Sequence, residues 1–210
     1  MVPPVGYGSV KREPVDAALF AARTAGPSGP VIGAIQDSLL TDHLTMTLPW
    51  RDGCRLPDRA QGVHKLAVLE RHGVNGNVGI GFVHGFGALH GALASSVGHD
   101  SHNIIVVGDN DADMAIAVNR LIELQGGGVA AADGEVRAAL PLPIAGLISD
   151  QAYEEVDRQL RQLHEAARGM ACALPEPMLQ LAFLPLPVIP HLKLTDKGLV
   201  DVDRFQLIAA

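Results

Sequence analysis

The sequence is poor in cysteine and in aromatic residues. Only two of its 210 residues are cysteine, and phenylalanine, tryptophan and tyrosine together make up 4%. Cys54 and Cys172 lie far apart in the chain, which argues against a disulfide framework and is typical of a reducing compartment. Hydrophobic residues still reach 48%, which is enough for a sizeable core. We therefore expect a core of Ala, Val, Leu and Ile, packed closely with the help of glycines.

Long hydrophobic runs are also missing. The most apolar segment, Leu179 to Val188, is interrupted by Pro185 and Pro187, whereas a transmembrane helix needs about 20 consecutive apolar residues. The first residues, MVPPVGYGSVKREP, do not combine a charged start with an apolar stretch, as a signal peptide does. We expect a cytoplasmic protein with no membrane partner.

Positive charge is scarce as well. The net charge is −7 and the isoelectric point is about 5.6, whereas a nucleic-acid-binding protein usually has a basic face. Arg158, Arg161 and Arg168 come close together on a predicted helix, but they alternate with glutamates, which is typical of a solvated helix face. We expect no nucleic-acid partner.

Strands and helices follow one another in a mixed order. The first residues are polar and rich in proline and glycine, so we predict a tail or linker over residues 1–30 and one domain over residues 31–210. Because the order lacks strict βαβ alternation, we predict an α+β fold, a layered mixed sheet with packed helices. Local patterns predict a helix from about 109 to 125, an amphipathic helix from Tyr153 to Met170, a hairpin around Asp133-Gly134, a buried helix from Gly91 to Val97 and a final strand from Asp201 to Ile208.

The densest polar cluster covers residues 95–103, SSVGHDSHN. It lies between a small apolar segment and a predicted buried strand, and strand ends are common places for a site. Three interpretations stay open. These groups satisfy one another and the nearby backbone, or they contact a ligand or support another domain's site. In the third, His99, Asp100 and His102 bind a metal, although a zinc site normally needs further ligands.

A second polar group, Glu70-Arg71-His72, follows a predicted strand. In one interpretation, Glu70 and Arg71 form a surface ion pair that contributes little to stability. In the other, His72 serves an acid–base role. Nothing in the sequence places this group beside residues 95–103, and we favour the first interpretation.

Several catalytic motifs are missing from the sequence. It has no His-x-His, no Cys-x-x-Cys, no GxxxxGK[ST] loop and no GxSxG nucleophile elbow. A metal-activated, phosphate-binding or serine-hydrolase site of these common kinds is therefore not predicted from motifs.

Five segments, in this order, resemble the C-terminal region of adenine deaminases. The resemblance runs from about Leu40 to the last residues. Its longest and most specific blocks contain HDSHNIIVVG and LPLPIAGL. The segments are LAVLERHG, GNVGIGFVHGFG, GALASSVGHDSHNIIVVGDNDADMAIAVN, LPLPIAGLISD and FLPLPVIPHLKLTDKGLVDV.

This resemblance implies a hydrolase of the amidohydrolase superfamily. Such enzymes convert adenine and water to hypoxanthine and ammonia in purine salvage, with a divalent metal (manganese, iron or zinc) that activates the water. In that family the metal ligands lie on a barrel domain, so we assign no metal ligand and no bound cofactor to this sequence. The implied partners are an amidohydrolase barrel, as a domain or a separate subunit, and adenine; a homo-oligomer is left open.

Within this family, the polar clusters become candidate site residues. We expect His99, Asp100, Ser101 and His102 to face the barrel's active site in a supporting catalytic role. Glu70, Arg71 and His72 are candidates for support of substrate binding. The alternative is a catalytically inactive, stand-alone purine-binding or assembly module with the same fold.

Overall fold

A computed structural model describes residues 5–209 of the chain. The described residues form thirteen strands, three α-helices and two short 3-10 turns. The strands are β1 Ser28–Ala34, β2 Thr41–Thr47, β3 Trp50–Arg51, β4 Cys54–Arg55, β5 Val63–Leu69, β6 Val78–His84, β7 Ala92–Ser95, β8 Ile104–Gly108, β9 Gly127–Ala132, β10 Glu135–Pro141, β11 Leu192–Thr195, β12 Gly198–Asp201 and β13 Gln206–Ile208. The helices are α1 Asp111–Glu123, α2 Tyr153–Gly169 and α3 Pro177–Phe183, and the 3-10 turns are Ala17–Phe20 and Arg59–Gln61.

Eight strands form one mixed sheet in the order β10-β9-β7-β8-β5-β6-β1-β2. Neighbouring strands are antiparallel except β1 and β6, which are parallel. A separate three-stranded sheet has the order β11-β12-β13. The predicted α+β fold, a layered mixed sheet with packed helices, is confirmed, and the described residues include no barrel.

Side chains on the two faces of the large sheet pack into different layers. Along β5, Leu66 and Val68 join a core with α2, α3 and the three-stranded sheet, whereas Ala67 and Leu69 join a core with α1. This alternation follows from the two-residue repeat of a strand. All seven residues of β5 are buried, so the strand has helices or strands over both of its faces.

The glycines of β6 permit the close approach of the small sheet. A Cβ atom added at Gly79 would lie 1.9 Å from the carbonyl oxygen of Thr195, far inside any allowed contact. A side chain at this position would therefore force the β11–β12 turn away from the large sheet.

The predicted elements have mixed outcomes. The two long helices and the hairpin around Asp133-Gly134 are confirmed. The helix predicted from Gly91 to Val97 is wrong, because residues 92–95 form β7 between β8 and β9. Small side chains fit a buried helix and a buried strand equally well. Here the segment is a strand because it forms hydrogen bonds with β8 on one side and with β9 on the other. The final strand predicted from Asp201 to Ile208 is also interrupted, by a turn between β12 and β13.

The described N-terminal residues lie against the rest of the chain. Phe20 is fully buried and Val10 is 5% exposed, and both belong to the core that contains α1. Residues 1–4 of the predicted tail lie outside the described part, and the boundary at residue 30 stays a prediction. No helix in the described part of the chain has the length and apolar character needed to cross a membrane.

Candidate functional site

The two predicted polar segments meet at one end of the large sheet. Strands β5 and β8 are antiparallel neighbours, and Leu69 is paired with Ile104. Residues 70–72 leave β5 where residues 99–103 enter β8, so the two segments lie side by side. We call residues 70–72 and 99–103 together the sheet-end site.

Arg71 is buried and joins the two segments. Its side chain is 2% exposed, and Nε donates a hydrogen bond to the backbone carbonyl of His102. Its two terminal nitrogens donate to the Ser9 hydroxyl, at 3.1 Å, and to the carbonyl of Ala145, at 2.9 Å. Burial lowers the pKa of Arg71, but a guanidinium remains charged at neutral pH. Arg71 therefore connects the two segments of the sheet-end site from its buried side.

Glu70 organises the turn that follows β5. The carboxylate is also buried, at 5% exposure, and it accepts hydrogen bonds from the backbone amides of His72, Val74, Asn75 and Gly76. Burial alone would raise the pKa of Glu70, but these amides favour the ionised form and lower the pKa below its usual value. Glu70 is thus an ionised anchor for its own turn.

The interpretation of Glu70 and Arg71 as a surface ion pair is wrong. Both side chains are buried. The carboxylate bonds backbone amides, whereas the guanidinium bonds carbonyl and hydroxyl oxygens. Adjacent residues on an extended chain point to opposite sides, which explains why the two charges do not meet.

His72 makes a second connection between the segments. Its ring is exposed, and Nε2 donates to the carbonyl oxygen of Ser101 at 2.9 Å. The structure therefore brings His72 to residues 99–102, a proximity that the sequence alone did not indicate.

The loop from His99 to His102 is held by a backbone hydrogen bond and by ring stacking. The amide of His99 donates to the carbonyl of Ala182 at 2.8 Å, and its ring stacks on Phe183 with centroids 5.5 Å apart. His99, Asp100 and Ser101 are exposed, and His102 is half-buried. The loop is thus attached to α3 on one side and to Arg71 on the other, while its central side chains face outwards.

Two polar atoms of this loop lack partners. His102 Nδ1 and Asn103 Oδ1 are buried, and neither has a hydrogen-bond partner among the described residues. Buried polar atoms are nearly always paired in folded proteins, and Arg55, His64 and Gln159, away from this loop, also have such unpaired atoms. Asn103 belongs to the polar cluster of the sequence but was not among the predicted site residues.

The residues of this loop do not fit a metal centre. Across residues 5–209, no three His, Cys, Asp or Glu side chains come together in a group that could hold a metal ion. His99 is stacked on Phe183, and its loop places no third ligand beside it. The structure does not support the interpretation of His99, Asp100 and His102 as metal ligands.

The N-terminal segment completes the surroundings of Arg71. Ser9 bonds the guanidinium, the amide of Lys11 donates to the Arg71 carbonyl, and the amide of Ala145 donates to the Gly6 carbonyl. Sequence reasoning missed Ser9 and Ala145, because no local pattern relates residues so distant in the chain. The first described residues therefore lie beside the sheet-end site.

Comparisons with known proteins identify similar sequences. A family model described as the adenine deaminase C-terminal domain matches residues 38–206. The chain is 57% identical over 206 residues to an adenine deaminase of Methylobacterium sp. (strain 4-46) and 58% identical over 207 residues to one of Methylobacterium nodulans. It is 54% identical to adenine deaminase 1 of Rhizobium johnstonii. These matches cover 98–99% of the chain but only 36% of each relative.

Proposed function

The chain belongs to the adenine deaminase C-terminal domain family, and we propose that it acts as the C-terminal part of an adenine deaminase-type hydrolase. The reaction is the conversion of adenine and water to hypoxanthine and ammonia, in purine salvage in the cytoplasm. The chain's role is to support an active site on an amidohydrolase barrel, which is a domain or a separate subunit.

The observation that carries this proposal is the assembly of the sheet-end site. Arg71 and His72 contact the 99–102 loop through its backbone carbonyls, so the loop's side chains stay free to face outwards. Fixed polar groups at a strand end suit a role in positioning substrate or the residues around it.

The position of the N-terminal segment supports a barrel that lies close to the sheet-end site. The family domain is C-terminal by its description, so in the relatives other sequence precedes it. That sequence enters the domain through the equivalent of residues 5–11, which lie against Arg71. We infer that the preceding barrel lies near the sheet-end site.

Each site residue then has a specific role. Asp100 and Ser101 offer hydrogen bonds to the substrate or to the barrel, and the imidazoles of His99 and His102 can donate or accept hydrogen bonds. Arg71 and His72 act indirectly, because they hold the loop, and Glu70 does so by fixing the turn that carries His72. The divalent metal implied by the family does not fit the described residues, so we assign it to the barrel and derive no step through it.

Ammonia release from adenine tests the proposal. The chain alone is compared with a full-length chimera, in which it replaces the matching 206 residues of the Methylobacterium sp. (strain 4-46) relative. Both proteins are assayed with added manganese. Activity in the chimera and none in the chain alone is expected. Turnover by the chain alone would contradict the supporting role, and a folded but inactive chimera would favour an inactive purine-binding or assembly module.

A further inference from the structure

Three leucine side chains are exposed on neighbouring elements of one face. Leu160 of α2 is 37% exposed, Leu179 of α3 is 57% exposed and Leu39, after β1, is 44% exposed. One cavity of about 260 Å³ is lined by Leu160 and Leu179, and a second of about 260 Å³ is lined by Leu179 and Leu39. Because Leu179 lines both cavities, the three leucines and the two cavities lie on one surface. We call it the leucine surface.

The charges on this surface are mainly acidic. Glu176 lines both cavities and Asp37 lines the second. Within the described part of the chain, neither lining contains a lysine or an arginine. The imidazole of His164 lies 3.5 Å from the Glu176 carboxylate, and the remaining lining combines apolar side chains, mostly leucine, with uncharged serine, glutamine and glycine. A complementary surface would therefore carry apolar side chains beside a basic group.

Helix α3 connects the leucine surface to the sheet-end site. Leu179 faces the cavities, while at the end of the same helix Ala182 accepts the His99 amide and Phe183 stacks on the His99 ring. The helix has only seven residues, with a cavity on either side. A group that fills these cavities would fix α3 and, through it, the His99 end of the loop.

We propose that the leucine surface docks the polypeptide that precedes this family domain in adenine deaminases, and that this docking positions the 99–102 loop. Apolar side chains of that polypeptide enter the two cavities, and a basic side chain meets Glu176 and Asp37. The chain spans only 36% of its relatives, so their remaining sequence is large enough to cover the leucine surface. This inference rests on the proposed function.

Hydrogen–deuterium exchange of the chain and of the full-length chimera tests the docking directly. In the chimera, amides of residues 36–40 and 176–183 are expected to exchange on the order of tenfold more slowly than in the chain alone. Leu179→Asp removes this protection, because a carboxylate cannot enter the cavities without a partner. Leu207→Asp is the matched control, because Leu207 is 58% exposed on β13 and lines neither cavity.

Each result has a defined meaning. Equal exchange in the two proteins would overturn the docking, and so would protection that survives Leu179→Asp. Concentration-dependent protection in the chain alone, with a dimer in sedimentation that Leu179→Asp dissociates, would show a second copy as the occupant and also overturn it. Deaminase activity is measured separately. An active chimera with unprotected α3 refutes only the docking, whereas an inactive chimera with protected α3 refutes only the proposed function.

Discussion

The Arg71 side chain donates a hydrogen bond to the backbone carbonyl of His102 and so fixes one end of an exposed polar loop from inside the protein. The guanidinium is nearly inaccessible to solvent. Because the guanidinium is buried and contacts the loop through a backbone carbonyl, we propose that Arg71 positions the loop and does not itself contact substrate.

Replacing Arg71 by lysine is expected to release the loop. A lysine cannot reproduce the planar set of donors that contacts Ser9, His102 and Ala145. Leaving these part-buried acceptors without their charged donor should lower the free energy of unfolding by about 1–3 kcal/mol. Urea unfolding measures this loss. Hydrogen–deuterium exchange should show faster exchange across residues 99–103.

Arg168→Lys is the control for this substitution. Arg168 is exposed in the last turn of α2, so its replacement should change stability by less than about 0.5 kcal/mol. Equal effects of the two substitutions would mean that Arg71 does not hold the loop.

Glu70→Gln should weaken the turn after β5 and make the free energy of unfolding depend less on pH in acid. The pKa of Glu70 is lower in the folded protein than its usual value of 4.5. Its contribution is therefore fully present above pH 4.5 and is lost as pH falls through the folded pKa. The variant should lose about 1–3 kcal/mol at pH 7 and less at low pH. Denaturant unfolding between pH 3 and 7 measures how the free energy of unfolding changes with pH in the wild type and in the variant. The same pH dependence in both proteins would mean that ionised Glu70 does not stabilise the turn.

Lys193→Met should stabilise the protein at neutral pH. Lys193 is fully buried, and its amine donates to the carbonyl of Leu39 at 2.9 Å. Burial lowers its pKa from 10.5 to about 8, so the charged form destabilises the fold below pH 8. Wild-type stability should rise between pH 8 and 10.5, where only the unfolded chain binds the proton. The variant should gain about 1–3 kcal/mol at pH 7, and this gain should shrink as pH rises.

Unfolding curves at pH 7 and pH 10 test this difference. Lys197→Met, at an exposed position in the β11–β12 turn, is the control and should show no such pH-dependent gain. An advantage of Lys193→Met that is the same at both pH values would mean that the charge is not its cause.

The sequence indicated the candidate loop but not the residues that hold it in place. Two histidines, an aspartate and serines between apolar segments were enough to single out residues 99–102. The connection to Arg71 depends on the pairing of β5 with β8, which brings together residues about 30 positions apart. Ser9 and Ala145 are still more distant, so no local pattern could have predicted them. The prediction for residues 92–95 failed for a related reason, because the partners of β7 are not encoded in its own small side chains.

The central claim, that the 99–102 loop supports deamination, is tested most directly by kcat/KM for adenine in the full-length chimera carrying Asp100→Asn. Asp100 has a positive φ of 79°, a conformation that asparagine tolerates, so the change removes the charge and keeps the backbone. Asp52→Asn is the matched control, because Asp52 is exposed with a φ of 52° in the β3–β4 turn. Because a hydrogen bond to a charged group is worth more than one to a neutral amide, a loss on the order of tenfold is predicted with Asp100→Asn, and none with Asp52→Asn. Equal kcat/KM in both variants and the parent chimera would contradict the claim.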